Sequence, residues 1–126
     1  MKKQIVLLVA LGILFLAFQS FSPDTPPEKE FPEEISILLK TSCYDCHYTG
    51  ATAEKALKAA NFEEWEGYRL TKKVALLGEI GKVVEEGKMP PEKYLEHKPE
   101  NKLSEKQVKL LLEWTEQEAE KLMQGN

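Results

Sequence analysis

Cysteine and histidine are scarce in this chain, with two of each among 126 residues. A sustained alternation of apolar and polar positions is missing altogether, so no stretch reads as a half-buried strand. There is no internal repeat. A basic surplus is missing too. The formal net charge is −4, from 17 Lys+Arg and 21 Asp+Glu. Two of those lysines, Lys2 and Lys3, belong to the first 21 residues, which leaves 15 basic side chains, 21 acidic ones and a net charge of −6 on the remainder. Phosphate binding needs a basic face, so nucleic acid is excluded as a partner. Adhesion to an anionic membrane surface is excluded on the same ground. The acidic balance fits either a solvated exterior or steering toward a partner protein with a basic surface. Carboxylate pairs such as Glu63-Glu64 and Glu85-Glu86 read as solvated surface rather than acid–base machinery. With no nucleophile or base pattern, neither an enzyme nor a small-molecule substrate is expected.

What is present begins with Met-Lys-Lys and an apolar run from Ile5 to Phe18. Two lysines before a short apolar run is the layout of an export signal. The charge-free stretch approaches the roughly 20 residues that a bilayer span needs. Residues 1–21 therefore read as a signal peptide or a membrane anchor, with residues 4–21 in the bilayer if uncleaved. Ala17, Ser20 and Ser22 make no strong cleavage site, and no cysteine near the end of the run suggests lipid attachment. The lysines stay on the cytoplasmic side and the remainder is exported, which places it in the periplasm. Residues 22–32 form a Pro-rich, acidic linker, stiffened by Pro23, Pro26, Pro27 and Pro32.

Residues 33–126 read as one all-α domain beginning near Phe31. Glu33 to Ser42 places Ile35, Leu38 and Leu39 on one face, after Pro32 and two glutamates suited to a first turn. A short helix is expected within 51–60, and irregular, aromatic-rich chain over 61–69. Thr71 to Glu86 aligns Val74, Leu77, Ile80 and Val84 in one stripe, with Gly87 as the stop. Lys88-Met89-Pro90-Pro91 is a loop, because neither proline continues a helix. Ser104 and Gln107 form a capping box for a last helix carrying Val108, Leu111, Leu112, Thr115, Ala119 and Leu122. Three main helices, with short ones between them, make a thin core for a domain of this length. A large apolar cofactor would fill it.

Both cysteines and one histidine fall in a single pentapeptide, Cys43-Tyr-Asp-Cys46-His47. Two thiols one helical turn apart can add to two vinyl groups on one porphyrin edge. The adjoining imidazole then reaches the iron from beneath the ring, so Cys-x-x-Cys-His predicts one covalently attached haem c. Other readings exist for the same residues. A thioredoxin-like redox pair wants a preceding strand, and none is predicted. A zinc site of Cys43, Cys46, His47 and His97 would need two adjacent ligands on one tetrahedral ion. A structural disulfide leaves His47 without a reason. The last two together make a non-haem metal or disulfide module the remaining alternative.

The far side of the iron has three candidates: Met89, His97 and Met123. Met89 is favoured, because it sits in a proline-fixed loop that can hold a thioether still. His97 is the second candidate, in the loop ahead of the last helix. Met123 lies near the terminus and reads as a surface or core methionine. A His/Met pair raises the reduction potential relative to two histidines, while an empty position admits small gases. The leading expectation is one-electron transfer by a periplasmic monohaem cytochrome c, and the alternative is a haem-based sensor with an open or labile sixth site. Trp65 and Tyr68 are expected to pack near the haem.

Four segments together carry a family resemblance. They are Leu-Lys-Thr-Ser-Cys-Tyr-Asp-Cys-His (39–47), Asn-Phe-Glu-Glu-Trp (61–65), Gly-Lys-Met-Pro (87–90) and Tyr-Leu-Glu-His-Lys-Pro-Glu (94–100). In that order and spacing, from about Asp24 to Lys121, the chain resembles the small haem-binding-domain family of exported bacterial proteins. The resemblance implies a single-haem, cytochrome-c-like domain behind one membrane segment. It implies thioether bonds at Cys43 and Cys46, His47 as proximal iron ligand and Met89 as distal ligand. Many members carry a longer, aromatic-rich insert before the Asn-Phe-x-x-Trp stretch, where only Tyr48 to Ala60 stands here.

Overall fold

Three amphipathic segments supply the main helices of the computed structural model, which describes residues 30–125. The signal or anchor reading of 1–21, and the linker up to residue 29, lie outside the described residues. In chain order the helices are α1 (Glu33–Ser42), α2 (Tyr44–His47), α3 (Glu54–Ala59), α4 (Leu70–Glu85), α5 (Glu92–Leu95) and α6 (Glu105–Gln124). Two 3₁₀ turns, Phe62–Gly67 and Pro99–Asn101, complete the set. Among the described residues there is no strand, so the all-α expectation holds. The aromatic stretch expected to be irregular is instead ordered as the first 3₁₀ turn.

Each main helix has the ends its sequence announces. Glu33 and Glu34 occupy the first turn of α1, where carboxylates complement the helix dipole. Pro32 stands one step earlier than a first-turn proline, as the N-cap. At the start of α6 the Gln107 N–H donates to Ser104 Oγ, and the Ser104 N–H donates to Gln107 Oε1 at 2.8 Å. That is the reciprocal capping box. The end of α4 leads into the Met89 loop. Gly87 takes φ +65°, its N–H donates to the Val84 carbonyl, and the Lys88 N–H donates to Val83 at 2.8 Å. These two bonds form a Schellman motif, in which a left-handed residue lets the last carbonyls be satisfied.

The core is built where α4 and α6 lie together and α1 packs against α6. Leu77 from α4, Leu111 from α6 and Leu39 from α1 are its most deeply buried side chains. Gly81 permits a close approach of the two long helices, since a Cβ there would meet Thr115 Oγ1 at 3.0 Å. Trp114, which falls outside the apolar stripe expected on the last helix, is buried beside Leu111 and Thr115. Its ring meets Phe31 edge-on at 5.9 Å. Phe31 also packs on Phe62 at 6.2 Å and Trp65 at 5.4 Å. This aromatic layer joins the helical core to the short elements around the Cys43–His47 pentapeptide.

Candidate haem-attachment site

Cys43 follows α1 directly, and its N–H donates to the Leu39 carbonyl. The chain then turns once more as α2, because the His47 N–H donates to the Cys43 carbonyl at 2.9 Å. One helical turn thus separates the two thiols and brings His47 alongside. Cys43, Cys46 and His47 are all half-buried. Both cysteines are free thiols. Burial, with the Cys46 thiol nearby, pushes Cys43 up to about 12. It is therefore a neutral thiol at physiological pH.

The imidazole of His47 is oriented by a single bond. Nδ1 lies 3.1 Å from the Ala60 carbonyl oxygen. A carbonyl can only accept, so Nδ1 carries a proton, and in the neutral ring Nε2 is then the nitrogen with the lone pair. Iron-ligating histidines are held in this way, with one ring nitrogen donating to a carbonyl while the other faces the metal. The Phe62 ring meets the imidazole edge-on at 6.2 Å.

Asn61 explains why the Ala60 carbonyl is held in place. Its side chain accepts from the Glu63 N–H at 3.2 Å and donates to Thr49 Oγ1 at 3.0 Å. The first bond caps the 3₁₀ turn, and the second ties it to the turn after His47. Tyr68 closes the turn from the other end, its hydroxyl accepting from the Asn61 N–H and donating to the Asn61 carbonyl, each at 3.1 Å. Trp65 packs on Phe31 and Tyr68. Asn61, Ala60 and Thr49 had no chemical signature of their own in the sequence. For Asn61 the hints were its place at the head of the Asn-Phe-Glu-Glu-Trp segment and its position ahead of an acidic turn, which is a capping pattern.

Met89 is half-buried in the loop that follows the Schellman motif, and its N–H donates to the Val83 carbonyl at 3.1 Å. His97 is exposed, and its N–H donates to the Tyr94 carbonyl. Met123 is 64 % exposed. The segment around His97 contributes through its neighbours. Tyr94 donates to Asp45 Oδ2 at 2.8 Å, and Lys98 Nζ donates to the same oxygen at 2.6 Å. Asn101 Nδ2 donates to the Tyr94 hydroxyl, and Ser42 Oγ donates to the Asn101 carbonyl at 2.9 Å. The Lys98 and Tyr94 hydrogen bonds hold the Asp45 carboxyl below the usual carboxylate range, and Asp45 in turn raises Lys98. Residues inside and just before the pentapeptide are thereby tied to chain far downstream.

Among the described residues no three His, Cys, Asp or Glu side chains converge to hold a metal ion. The zinc set of Cys43, Cys46, His47 and His97 is not assembled there. A depression of about 640 Å³ lies between α1 and α6, and one of about 280 Å³ lies beside Phe31, Tyr44 and Tyr48. Neither is lined by Cys46, His47 or Met89. Two thiols and an imidazole with a free Nε2 fit a covalently held haem.

No curated protein and no solved structure matches the chain. The haem-binding domain family matches it over residues 50–117. That span begins just after His47, so the match and the Cys-x-x-Cys-His pattern are independent of each other. It takes in Ala60 and the Asn61 turn, which hold His47, the Tyr94–Asn101 segment, which holds Asp45, and the Met89 loop. Covering more than half of the 126 residues, the match shows that this chain, with haem as its cofactor, belongs to the haem-binding domain family.

Proposed function

We propose that the chain is a periplasmic monohaem cytochrome c that transfers single electrons, with Cys43 and Cys46 as thioether sites, His47 as proximal ligand and Met89 as distal ligand. The observation that carries this reading is the His47 Nδ1–Ala60 bond, which leaves Nε2 as a lone-pair donor beside two free thiols. A haem held here supplies one-electron chemistry, its iron passing between the ferrous and ferric states. The chain's part is to orient His47 through Ala60, to hold the two thiols one helical turn apart for attachment, and to present the Met89 thioether from the end of α4. The order of elements supports a cytochrome-c-like arrangement: first main helix, haem motif, second main helix, methionine loop, last helix. The acidic balance suits a redox partner with a basic face. Residues 4–21 would tether the domain to the inner membrane if they are retained.

The test uses protein matured with the export and haem-attachment machinery. A pyridine haemochrome spectrum is expected to show thioether-linked haem, and its absence would end the reading. Met89→Ala should keep the haem attached, abolish the far-red sulfur-to-iron band, lower the potential and open the iron to carbon monoxide. His97→Ala should leave the iron spectrum unchanged. Rapid stoichiometric carbon monoxide binding to the unaltered ferrous protein would instead assign the chain to the ligand-binding class.

A further inference from the structure

The segment from Pro91 to Lys102 contains no buried residue. Helix α5 spans four residues, too few for an isolated helix to be stable in water. Its place is therefore not decided by core packing. The tertiary side-chain bonds it makes are polar, and they run to the haem motif. Tyr94 and Lys98 both donate to Asp45 Oδ2. Asn101 steadies the Tyr94 hydroxyl, and its carbonyl accepts from Ser42, the residue before Cys43.

Met89 lies upstream of this clamp. Four residues separate it from Tyr94, which is five Cα steps or at most roughly 17 Å of fully extended chain. Its other side is fastened to α4, where Lys88 and Met89 both donate to the Val83 carbonyl. The loop is thus held at two ends, by a helix terminus and by a carboxylate lying between the two cysteines. We infer that Asp45 is a positioning residue: through Tyr94 and Lys98 it keeps the Met89 loop in register with the haem motif, and so sets how firmly Met89 closes the sixth position. This rests on Met89 being the distal ligand. The carboxylate geometry is the specific element, since a neutral amide at residue 45 would lose the charge assistance of both bonds.

The test compares Asp45→Asn, Asp45→Glu, Tyr94→Phe and Met89→Ala in the full chain matured with haem. Haemochrome spectra report attachment, the far-red band reports the sulfur–iron bond, and the carbon monoxide association rate of the ferrous protein reports opening of the sixth position. Asp45 and Lys98 are about half exposed, so each bond is worth no more than a surface pair. Asp45→Asn and Tyr94→Phe are expected to raise the association rate roughly two- to five-fold with attachment intact. Asp45→Glu, which keeps the charge, should stay closer to the unaltered protein. If Met89→Ala opens the iron while Asp45→Asn and Tyr94→Phe leave the rate unchanged, the clamp is overturned and Met89 stands. If Met89→Ala leaves band and rate unchanged, the ligand reading is wrong and the positioning role falls with it. Should Asp45→Asn impair maturation, Tyr94→Phe decides alone, because it removes one hydroxyl outside the motif.

Discussion

Replacing Asn61 by alanine should destabilise the domain through the small turn that holds His47. The side chain makes two bonds. Loss of the cap to the Glu63 N–H costs about 1 kcal/mol, as for other N-cap removals. Loss of the bond to Thr49 costs about 1 kcal/mol more, and no further penalty arises because the exposed Thr49 hydroxyl can turn to water. The sum, about 2 kcal/mol, lowers the thermal midpoint by roughly 8–16 °C for a domain of this length. Urea unfolding of the haem-loaded protein measures it, and the slope should not change if only stability is affected. Tyr68→Phe attacks the same turn through different atoms. Its hydroxyl serves the backbone N–H and carbonyl of Asn61, so its removal costs about 1–3 kcal/mol. Because either change loosens the same turn, the double variant should lose less than the sum of the two, by at least about 0.5 kcal/mol. The Nδ1 proton of His47 provides a second readout, since a loosened Ala60 carbonyl lets it exchange faster with solvent. A loss below about 0.5 kcal/mol for Asn61→Ala, within the range of ordinary surface changes, would refute the claim that this residue holds the turn together.

Glycines in and after α4 should respond with opposite signs. Gly78→Ala adds a methyl group to an exposed helical position with nothing within 4 Å, and should stabilise by about 1 kcal/mol. Gly87→Ala meets open space too, but its φ of +65° penalises any L side chain by about 1–2 kcal/mol. It should also disturb the Met89 loop, seen as a weaker far-red band. The Glu30 carboxyl is raised by burial and by Glu66, with Lys73 opposing. A raised acid favours the protonated form in the folded state, so its contribution to stability declines as pH rises through the carboxylate range. Glu30→Gln should therefore raise the midpoint at about pH 7 and leave it unchanged near pH 3, where carboxylates are protonated in both states. Thermal melts at both pH values check it.

Much of this protein was legible in its sequence because the relevant signals are local. The three main helices follow from periodicity, and their ends from Ser104, Gln107 and Gly87, whose effects act within a turn of chain. Cys43, Cys46 and His47 were legible for the same reason: one helical turn suffices to place two thiols and an imidazole together. The tertiary structure decided what lies far apart in the chain. Trp114 is core although it stands off the expected apolar stripe, because Phe31 arrives from outside that helix to cover it. Ala60 orients His47 with a backbone carbonyl, a group every residue possesses and no motif can announce. Asp45 meets Tyr94 and Lys98 across about fifty residues, and only the folded chain brings those polar groups within hydrogen-bond reach. The sequence by itself thus determined which atoms could hold the cofactor, while the fold determined what holds those atoms still.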